Sequence, residues 1–214
     1  EEIVNLLLEG RNIALVTDAG MPCISDPGED LVKLCIKKGI EIIPIPGVSA
    51  SLTALSISGL TTERFVFEGF LPKKGKDRTE RLEDIANEKK TIILYEAPHR
   101  LLTTLKDLEK YLGNRNISIS RELTKKFEET VRTDIKGAIE EFSKRDIKGE
   151  FVLIIEGKLI EDDDLNNSFW KSLSLEEHIK YFIDSGLSKK EAVKEVAKLR
   201  KIPKKEVYKI AIDI

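Results

Sequence analysis

Three ionisable side chains stand within five positions in the segment "YEAPHR". Glu96, His99 and Arg100 follow an apolar run that ends at Tyr95, so a predicted strand would deliver them to its carboxyl end. A carboxylate, an imidazole and a guanidinium in one loop could move a proton or hold a phosphate. The same spacing also allows a structural ion pair between Glu96 and Arg100 with His99 at a helix start. From the spacing alone, this second interpretation is favoured by roughly two to one.

Two further segments combine charges that could bind a polyanion. In "SRELTKKFEE", Arg121 and Lys125 flank Glu122, a second candidate for accepting a proton. In "GFLPKKGKDR", basic residues lie in a Gly/Pro loop with phenylalanines nearby, which suits a phosphate backbone with stackable bases. A solvated lysine loop is the alternative. The candidate phosphate-binding residues in these segments and in "YEAPHR" are Lys73, Lys74, Lys76, Arg78, His99, Arg100, Arg121 and Lys125.

Two loops rich in glycine and proline follow apolar runs near the start of the chain. They are the first corner loop (17–28, "TDAGMPCISDPG") and the second corner loop (44–51, "PIPGVSAS"). Their glycines let the backbone approach a ligand closely, and their prolines stiffen the chain. At the ends of parallel strands, such loops bind ligands, here a nucleoside or an amino acid. A stiff surface turn is the alternative for each, at roughly even odds. Neither loop has the GxGxxG or the P-loop pattern.

Composition excludes several classes of protein. Cys23 and Cys35 are too few for a disulfide framework, which favours a reducing cytoplasm, and His99 and His178 are the only histidines, so no metal site is expected. The apolar runs are too short to cross a bilayer, and no secretory signal is recognisable. No GxSxG segment supports a serine hydrolase. From residue 171 onward, eleven Lys and Arg face seven Asp and Glu, a net charge of +4, which leaves −6 for the rest.

The order of apolar and amphipathic segments predicts an α/β protein with a helical end. Over 1–60 we expect helix, strand, helix, strand, helix, with strands at "NIALVTDAG" and "IEIIPIPG", as in a parallel sheet. Residues 61–158 predict a second α/β lobe with a mixed sheet, and 159–173 predict a linker. Residues 174–214 predict three helices of a helix-turn-helix type, two of them opened by Ser-x-x-Glu capping boxes at Ser174 and Ser188. A helical domain that only packs on the rest is the alternative.

Five segments together resemble one family. "VTDAGMPCISDPG", "PIPGVSASLTAL", "GFLPKKGKDR", "YEAPHRLLTTL" and "RELTKKFEETV" occur in the order seen in the 16S rRNA (cytidine-2′-O)-methyltransferase branch of the tetrapyrrole methylase superfamily. The resemblance implies the two-lobed tetrapyrrole methylase (class III methyltransferase) fold, with S-adenosyl-L-methionine in the cleft between the lobes. It also implies a homodimer and, as substrate, a decoding-centre cytidine of 16S rRNA in the small ribosomal subunit. The family's opening strand, Gly-Asn-Leu loop and "EDTR" motif do not precede Glu1, so we expect a truncated first lobe.

The resemblance also implies site residues. The corner loops, the strand end at Tyr95 and the turn around Thr133 would contact the cofactor, although the family has glycine where this chain has Thr133. The implied cofactor-binding residues are Ala19, Gly20, Met21, Ile24, Ser49, Ala50, Tyr95, Glu96 and Thr133. Residue type and loop position make Glu96 and Glu122 candidates for accepting the hydroxyl proton. Two alternatives remain open, a tetrapyrrole precursor C-methyltransferase and a non-catalytic RNA-binding module.

Overall fold

The computed structural model describes residues 1–159, 173–200 and 202–212, which form two compact units. The first unit comprises Glu1–Lys158 and the second Leu159–Ile214. Most of the predicted linker, residues 160–172, lies outside the described residues.

A mixed five-stranded sheet is the centre of the first unit. Among the described residues its order is β1-β2-β5-β3-β4, with β1 and β2 parallel and the other neighbouring pairs antiparallel. This confirms the mixed sheet expected after residue 60, and it shows "RELTKKFEETVRTDI" to be the turn and second strand of a hairpin. The strands are β1 (Phe65–Phe70), β2 (Thr91–Glu96), β3 (Asn116–Arg121), β4 (Glu129–Asp134) and β5 (Phe151–Ile155).

Helices cover both faces of this sheet. On one face, the core joins Ile92 and Leu94 of β2 to three amphipathic helices, α4 (Lys76–Ala86), α5 (Leu101–Leu112) and α6 (Ile135–Phe142). On the other face, Ile93 and Ile154 pack against the small-residue helix α3 (Ala50–Ile57). Successive strand side chains point to opposite faces, so the continuous apolar runs of β2 and β5 follow from burial on both sides.

The two strands predicted before residue 50 are not formed. Helices α1 (Glu2–Leu8) and α2 (Glu29–Lys37) are present as expected, but residues 11–17 and 40–49 have no strand assignment. Their apolar side chains remain exposed, including Val16, Ile43 and Ile45, each more than 70% accessible. A strand exists only where a neighbour pairs with its backbone. The described residues offer these two runs no such neighbour, so the prediction of a parallel sheet here is wrong.

Three helices make up the described part of the second unit. They are α7 (Leu175–Asp184), α8 (Lys189–Arg200) and α9 (Lys204–Ala211). Their common core includes Ile179, Val196 and Val207. The capping box at Ser174 and Glu177 is formed as predicted, with both reciprocal hydrogen bonds present. Among the residues described, none of the helices has the length and apolar character that crossing a membrane requires.

Candidate functional site

Tyr95 and Glu96 lie at the carboxyl end of β2 and point to opposite faces of the sheet. The Tyr95 hydroxyl accepts a hydrogen bond from the backbone N–H of Ser51, at 3.2 Å, on the side of α3. Glu96 meets Thr104 of α5 on the other side. Neighbouring strand residues cannot share a face. Their side chains therefore do not share a face of the sheet, although the resemblance implied that both residues contact the cofactor.

Aromatic rings surround Tyr95 at the edge of the α3 face. Its ring centre lies 5.0 Å from that of Phe67 and 5.6 Å from that of Phe70, both in edge-to-face geometry. Phe70 is exposed, and Ser49 and Ser51, one on each side of the first residue of α3, share a hydrogen bond of 2.8 Å. The result is an apolar wall beside a row of small polar groups. Such a surface suits a flat heterocycle with a ribose attached.

The two corner loops meet next to this wall. A Cβ atom at Gly47 would lie 2.9 Å from the Met21 sulfur, and one at Gly20 would lie 3.7 Å from the carbonyl oxygen of Val48. A Cβ at Gly69 of β1 would lie 3.5 Å from the Ser25 hydroxyl. The first corner loop thus contacts both the second corner loop and the end of β1. Residues predicted from separate motifs, including Gly20, Met21, Ser49, Ala50 and Tyr95, are brought into one neighbourhood.

The first corner loop is held in an unusual backbone conformation. Cys23 and Ser25 have φ angles of 68° and 65°, a region that non-glycine residues rarely adopt. The Thr17 hydroxyl donates to the carbonyl of Ala19 and accepts from its N–H, at 3.0 and 3.2 Å. Gly28 closes the loop at φ 137°, where a Cβ would lie 2.7 Å from the Leu15 side chain. Strained backbone of this kind clusters at ligand sites, which favours a binding loop over a plain turn.

Glu96 is part of a buried polar network on the α5 face. It is 1% exposed and accepts hydrogen bonds from the Thr104 hydroxyl at 2.5 Å and the Ala97 N–H at 2.8 Å. Arg100 lies 3.5 Å away and donates to the carbonyl of Leu71. The structural ion pair that the spacing allowed is therefore formed. The network separates Glu96 from the corner loops, and the structure argues against its assignment to the cofactor or to proton transfer.

Arg78 belongs to the same network and is not available to a phosphate. Its guanidinium donates to Asp107 at 2.9 Å, to the Thr104 hydroxyl at 3.0 Å and to the carbonyl of Pro72 at 2.8 Å. The side chain is buried, so the structure gives no support to the predicted RNA contact of Arg78. A basic residue next to a lysine-rich loop is expected to be solvated, but here two side chains of α5 and one loop carbonyl supply the acceptors.

The exposed cations near the site are fewer than the sequence suggested. Lys73, Lys74 and His99 are exposed, and Lys76 is exposed but paired with Glu80 at 3.2 Å. Arg100 is mostly buried and directed at Glu96 and at the carbonyls of Leu71 and Pro72. Lys73 and Lys74 therefore remain the best placed to contact a polyanion.

Glu122 closes the end of β3 against the start of β5. It adopts φ 48°, accepts from the Glu150 N–H at 2.9 Å and pairs with Lys125 at 3.2 Å. Lys125 also pairs with Glu150 at 3.0 Å, and Arg121 lies 3.9 Å from Glu129. The Glu150 hydrogen bond, helped by Lys125, lowers the pKa of Glu122. A carboxylate held in its charged form is a weaker proton acceptor.

Thr133 lies in β4 and not in a turn. Its hydroxyl faces α6, so close to Gly137 that a Cβ there would lie 2.3 Å away. The neighbouring Arg132 projects to the other face and donates to the carbonyl of Ile57 at the end of α3, at 2.9 Å. The prediction of a turn at Thr133 is wrong, and the motifs gave no sign of Arg132. Strand alternation could have indicated that only one of the two residues reaches the α3 face.

The site as a whole combines aromatic rings, glycine backbone and small hydroxyls with few charges. Because Ser51 belongs to α3 and Tyr95 to the sheet, their hydrogen bond fixes the second corner loop against the strand ends. A cationic sulfonium loses its charge when its methyl group leaves, so a neutral lining does not oppose the transfer. The geometry can therefore hold a nucleoside next to a reactive sulfur. Ala19 and Ile24 lie in the exposed part of the first corner loop.

Comparisons with known proteins show the family of this chain. The model of the family "Tetrapyrrole (Corrin/Porphyrin) Methylases" matches residues 1–139. A protein of Halalkalibacterium halodurans named ribosomal RNA small subunit methyltransferase I is 49% identical over 212 residues, which cover 98% of this chain and 72% of that protein. The protein of the same name from Bacillus subtilis is 44% identical over 207 residues, which cover 97% and 71%.

Solved structures show the same fold at low identity. The methyltransferase CobJ aligns with a TM-score of 0.56 at 18% identity, covering 75% of this chain and 72% of that one. Uroporphyrin-III C-methyltransferase from Thermus thermophilus, complexed with S-adenyl homocysteine, aligns with a TM-score of 0.51 at 19% identity, covering 72% of each. The family match, the relatives and the fold all agree: the chain belongs to the tetrapyrrole methylases, in the branch of the ribosomal RNA small subunit methyltransferases I.

Proposed function

We propose that this protein transfers the methyl group of S-adenosylmethionine to the ribose 2′-hydroxyl of a decoding-centre cytidine in 16S rRNA. The coarser statement follows from the family: the chain is an S-adenosylmethionine-dependent methyltransferase. An rRNA substrate is supported by relatives that carry that substrate in their names at 41–49% identity. The 2′-oxygen and the cytidine rest on the resemblance of the motifs.

The observation that carries the proposal is the meeting of the two corner loops beside Tyr95. Gly47 and Met21 touch, and the N–H of Ser51 is bound to the Tyr95 hydroxyl. These contacts place aromatic rings and loop backbone side by side, and the exposed Lys73 and Lys74 lie in the loop that follows β1. We assign Gly20, Met21, Ser49, Ala50 and Tyr95 to cofactor binding. Ala19 and Ile24 stay candidates in the first corner loop.

Bound S-adenosylmethionine would supply a methyl group on a positively charged sulfur. The residues of this chain would hold the ribose oxygen in line with that methyl group. The transfer would form one carbon–oxygen bond at the expense of the carbon–sulfur bond, and the hydroxyl would lose its proton. Alignment of this kind accounts for much of an enzyme's rate. Glu96 is buried on the opposite face, and the pKa of Glu122 is lowered, so we propose that the proton passes to water.

Cofactor binding is tested by calorimetric titration of S-adenosylmethionine into the chain. We expect saturable binding that Gly47→Val weakens at least tenfold, because the added side chain would occupy the place of the Met21 sulfur. Gly113→Ala, after α5 and outside the corner loops, is the control for a destabilising glycine substitution: its φ of 75° makes the change costly for stability, but the folded variant should bind normally. Equal affinity of the wild-type and Gly47→Val proteins would contradict the placement of the site.

Substrate choice is tested with tritiated S-adenosylmethionine and 16S rRNA, free or in the small subunit. We expect label in the RNA, resistant to alkali at the modified linkage because a 2′-O-methyl group blocks cleavage there. Label on a base would contradict the ribose assignment. Label on a tetrapyrrole precursor, with none on RNA, would support the alternative C-methyltransferase.

We also propose a homodimer, which the family resemblance implies. Light scattering of the purified chain measures its mass directly. A mass near twice 24.2 kDa is expected, and a monomer at micromolar concentration would contradict the proposal.

A further inference from the structure

A groove of about 380 Å³ lies between α8 and α9 in the second unit. Its walls come from both helices, and it is separate from every contact of the methyl-transfer site described above. The lining residues are Lys190, Val193, Lys194, Lys204, Lys205 and Tyr208.

The groove has an apolar floor and a basic rim. Val193 is 5% exposed and belongs to the core of the unit, whereas the Tyr208 side chain is 58% exposed. Lys190 and Lys194 are four residues apart and therefore share a face of α8, as Lys204 and Tyr208 do on α9. A large exposed ring next to buried valine is unusual in a helix rich in lysine. It offers a flat surface for a second flat group.

The four lysines of the rim are not neutralised by ion pairs. Among the described residues none of them makes a salt bridge, in contrast to Lys180, which pairs with Glu176 at 2.6 Å. Among the described residues, Glu191 is a carboxylate whose lowered pKa includes a contribution from this rim. Its first partner is the Ser188 hydroxyl, and Lys194 contributes less to the lowering of its pKa. The rim thus carries an excess of positive charge.

We propose that this groove binds a single-stranded segment of RNA, with a base against Tyr208 and backbone phosphates on the lysine rim. A ring platform together with a track of cations is the combination that binds unpaired nucleotides. An acidic peptide would use the lysines but would leave the Tyr208 face without a stacking partner. The proposal rests on the proposed function only in its choice of RNA as the polyanion. The surface provides RNA contacts outside the methyl-transfer site.

Fluorescence anisotropy of the full chain with a labelled oligouridylate tests the groove. We expect Lys190→Gln/Lys194→Gln to weaken binding about tenfold at moderate salt. The same variant should reduce the slope of log affinity against log salt by about 1.4, since each phosphate contact on a single strand contributes ~0.7. The charge-matched control is Lys180→Gln/Lys198→Gln, which removes two lysines of the same unit that do not line the groove. It should leave affinity within about twofold.

Substitutions of Tyr208 test the contribution of base stacking separately from that of the lysine charges. Tyr208→Leu should weaken oligouridylate binding about tenfold, whereas Tyr208→Phe, which keeps the ring, should bind as wild type. Equal losses in the groove and control lysine pairs, or no loss in Tyr208→Leu, would overturn the proposal. So would a polyglutamate peptide that competes as well as unlabelled oligouridylate, because it would make the groove a general acidic-protein site.

The failure of this inference can be told apart from that of the proposed function. Oligouridylate binding needs no cofactor, so it is measured without S-adenosylmethionine, and methyl transfer is measured separately. Absent methyl transfer with groove-dependent binding contradicts the proposed function alone. Methyl transfer with binding indifferent to Lys190, Lys194 and Tyr208 contradicts the groove alone. Melting temperatures of all variants, whose changed side chains are exposed, verify that each is folded.

Discussion

Two adjacent side chains at the end of β2 have different roles: Tyr95 lies at the proposed ligand site, and Glu96 supports the structure. Tyr95 faces α3 and meets Ser51, whereas Glu96 faces α5 and is enclosed by Thr104, Ala97 and Arg100. A buried carboxylate that accepts two hydrogen bonds and lies beside an arginine is positioned to fix its neighbours. We therefore regard Glu96 as a positioning residue for the loop that begins at Leu71, through Arg100.

Glu96→Gln distinguishes this role from that of a catalytic base. Removing one charge of a buried pair leaves Arg100 without its partner and should reduce the free energy of unfolding by about 3 kcal/mol. The single-turnover rate of the folded variant, saturated with cofactor and RNA, should fall less than threefold. Chemical denaturation and rapid quench measure the two quantities. A rate loss of a hundredfold or more with unchanged stability would restore Glu96 as the proton acceptor.

His178 makes the stability of the second unit depend on pH. Burial, followed by the nearby Arg200, lowers its pKa from 6.5 to about 4. As the pH falls, His178 therefore becomes protonated near pH 6.5 in the unfolded chain but only near pH 4 in the folded unit. Above pH 6.5 this histidine should leave the free energy of unfolding undiminished. As the pH falls from 6.5 to 4, the free energy of unfolding should decrease by up to about 1.4 kcal/mol per pH unit.

Urea denaturation at a series of pH values, followed in the second unit, measures this slope. His178→Gln should flatten its dependence between pH 6.5 and 4, at some cost in stability because the residue is buried. His99→Gln changes an exposed histidine of the first unit and should leave the slope as in wild type. A slope that persists in His178→Gln would assign the pH dependence to other groups.

At the scale of elements, two helices hold the loop that carries the exposed lysines. Arg78 of α4 donates to Asp107 and Thr104 of α5, and it also donates to the carbonyl of Pro72. Arg100 donates to the carbonyls of Leu71 and Pro72 from the start of α5. The helices therefore fix the backbone from which Lys73 and Lys74 project. One short segment therefore holds a structural cation, Arg78, and two exposed lysines that we propose contact RNA.

Substitutions in this segment should separate stability from RNA affinity. Arg78→Leu leaves Asp107 without its partner and should reduce the free energy of unfolding by about 3 kcal/mol. Lys73→Gln/Lys74→Gln removes two exposed charges and should change stability by less than about 0.5 kcal/mol. It should nevertheless weaken binding of 16S rRNA several-fold, more at low salt.

Thermal unfolding and filter binding measure these effects. Glu80→Gln, which only frees Lys76 from a surface pair, is the control for a charge change in the same helix. Unchanged stability in Arg78→Leu would show that the buried network contributes little. Unchanged rRNA affinity in the lysine variant would remove the basic loop from the interface.

At the scale of the whole molecule, stability is distributed unevenly. Strands β2 and β5 are buried on both faces, and Ile93, Leu153 and Ile154 are fully inaccessible. The apolar runs at 11–17 and 40–49 have exposed side chains and no strand ladder. Amides protected by a buried ladder open only with global unfolding, whereas unpaired amides exchange directly.

Hydrogen exchange followed by mass spectrometry should show this contrast. Peptides covering 92–95 and 152–155 should exchange slowest, and peptides covering 12–16 and 41–46 should exchange orders of magnitude faster. Helix α2, between the two unpaired runs, provides an internal reference with its own hydrogen bonds. Protection of 41–46 equal to that of β2 would show that these residues do form a strand in solution.

The sequence by itself determined the helices, the strands β1, β2, β3 and β5, and the positions of the two corner loops. The amphipathic helices and the apolar runs of β2 and β5 are visible as periodicity, and the corner loops as glycine and proline. The capping box of Ser174 and Glu177 could be predicted from the sequence because its two hydrogen bonds are local, within one turn of helix. The ordered motifs identified the family, which the comparisons confirm.

Only the tertiary structure decided where the side chains point and which runs find a neighbour. Tyr95 and Glu96 are adjacent in sequence, and the sheet sends one to the corner loops and the other into the α5 network. The sequence suggests that Arg78 is a solvated cation, but in the structure it donates to the carbonyl of Pro72. The runs at 11–17 and 40–49 have strand composition, but strands form through pairing with residues distant in sequence. Composition and spacing record local preference, whereas direction and pairing depend on contacts that exist only in the folded chain.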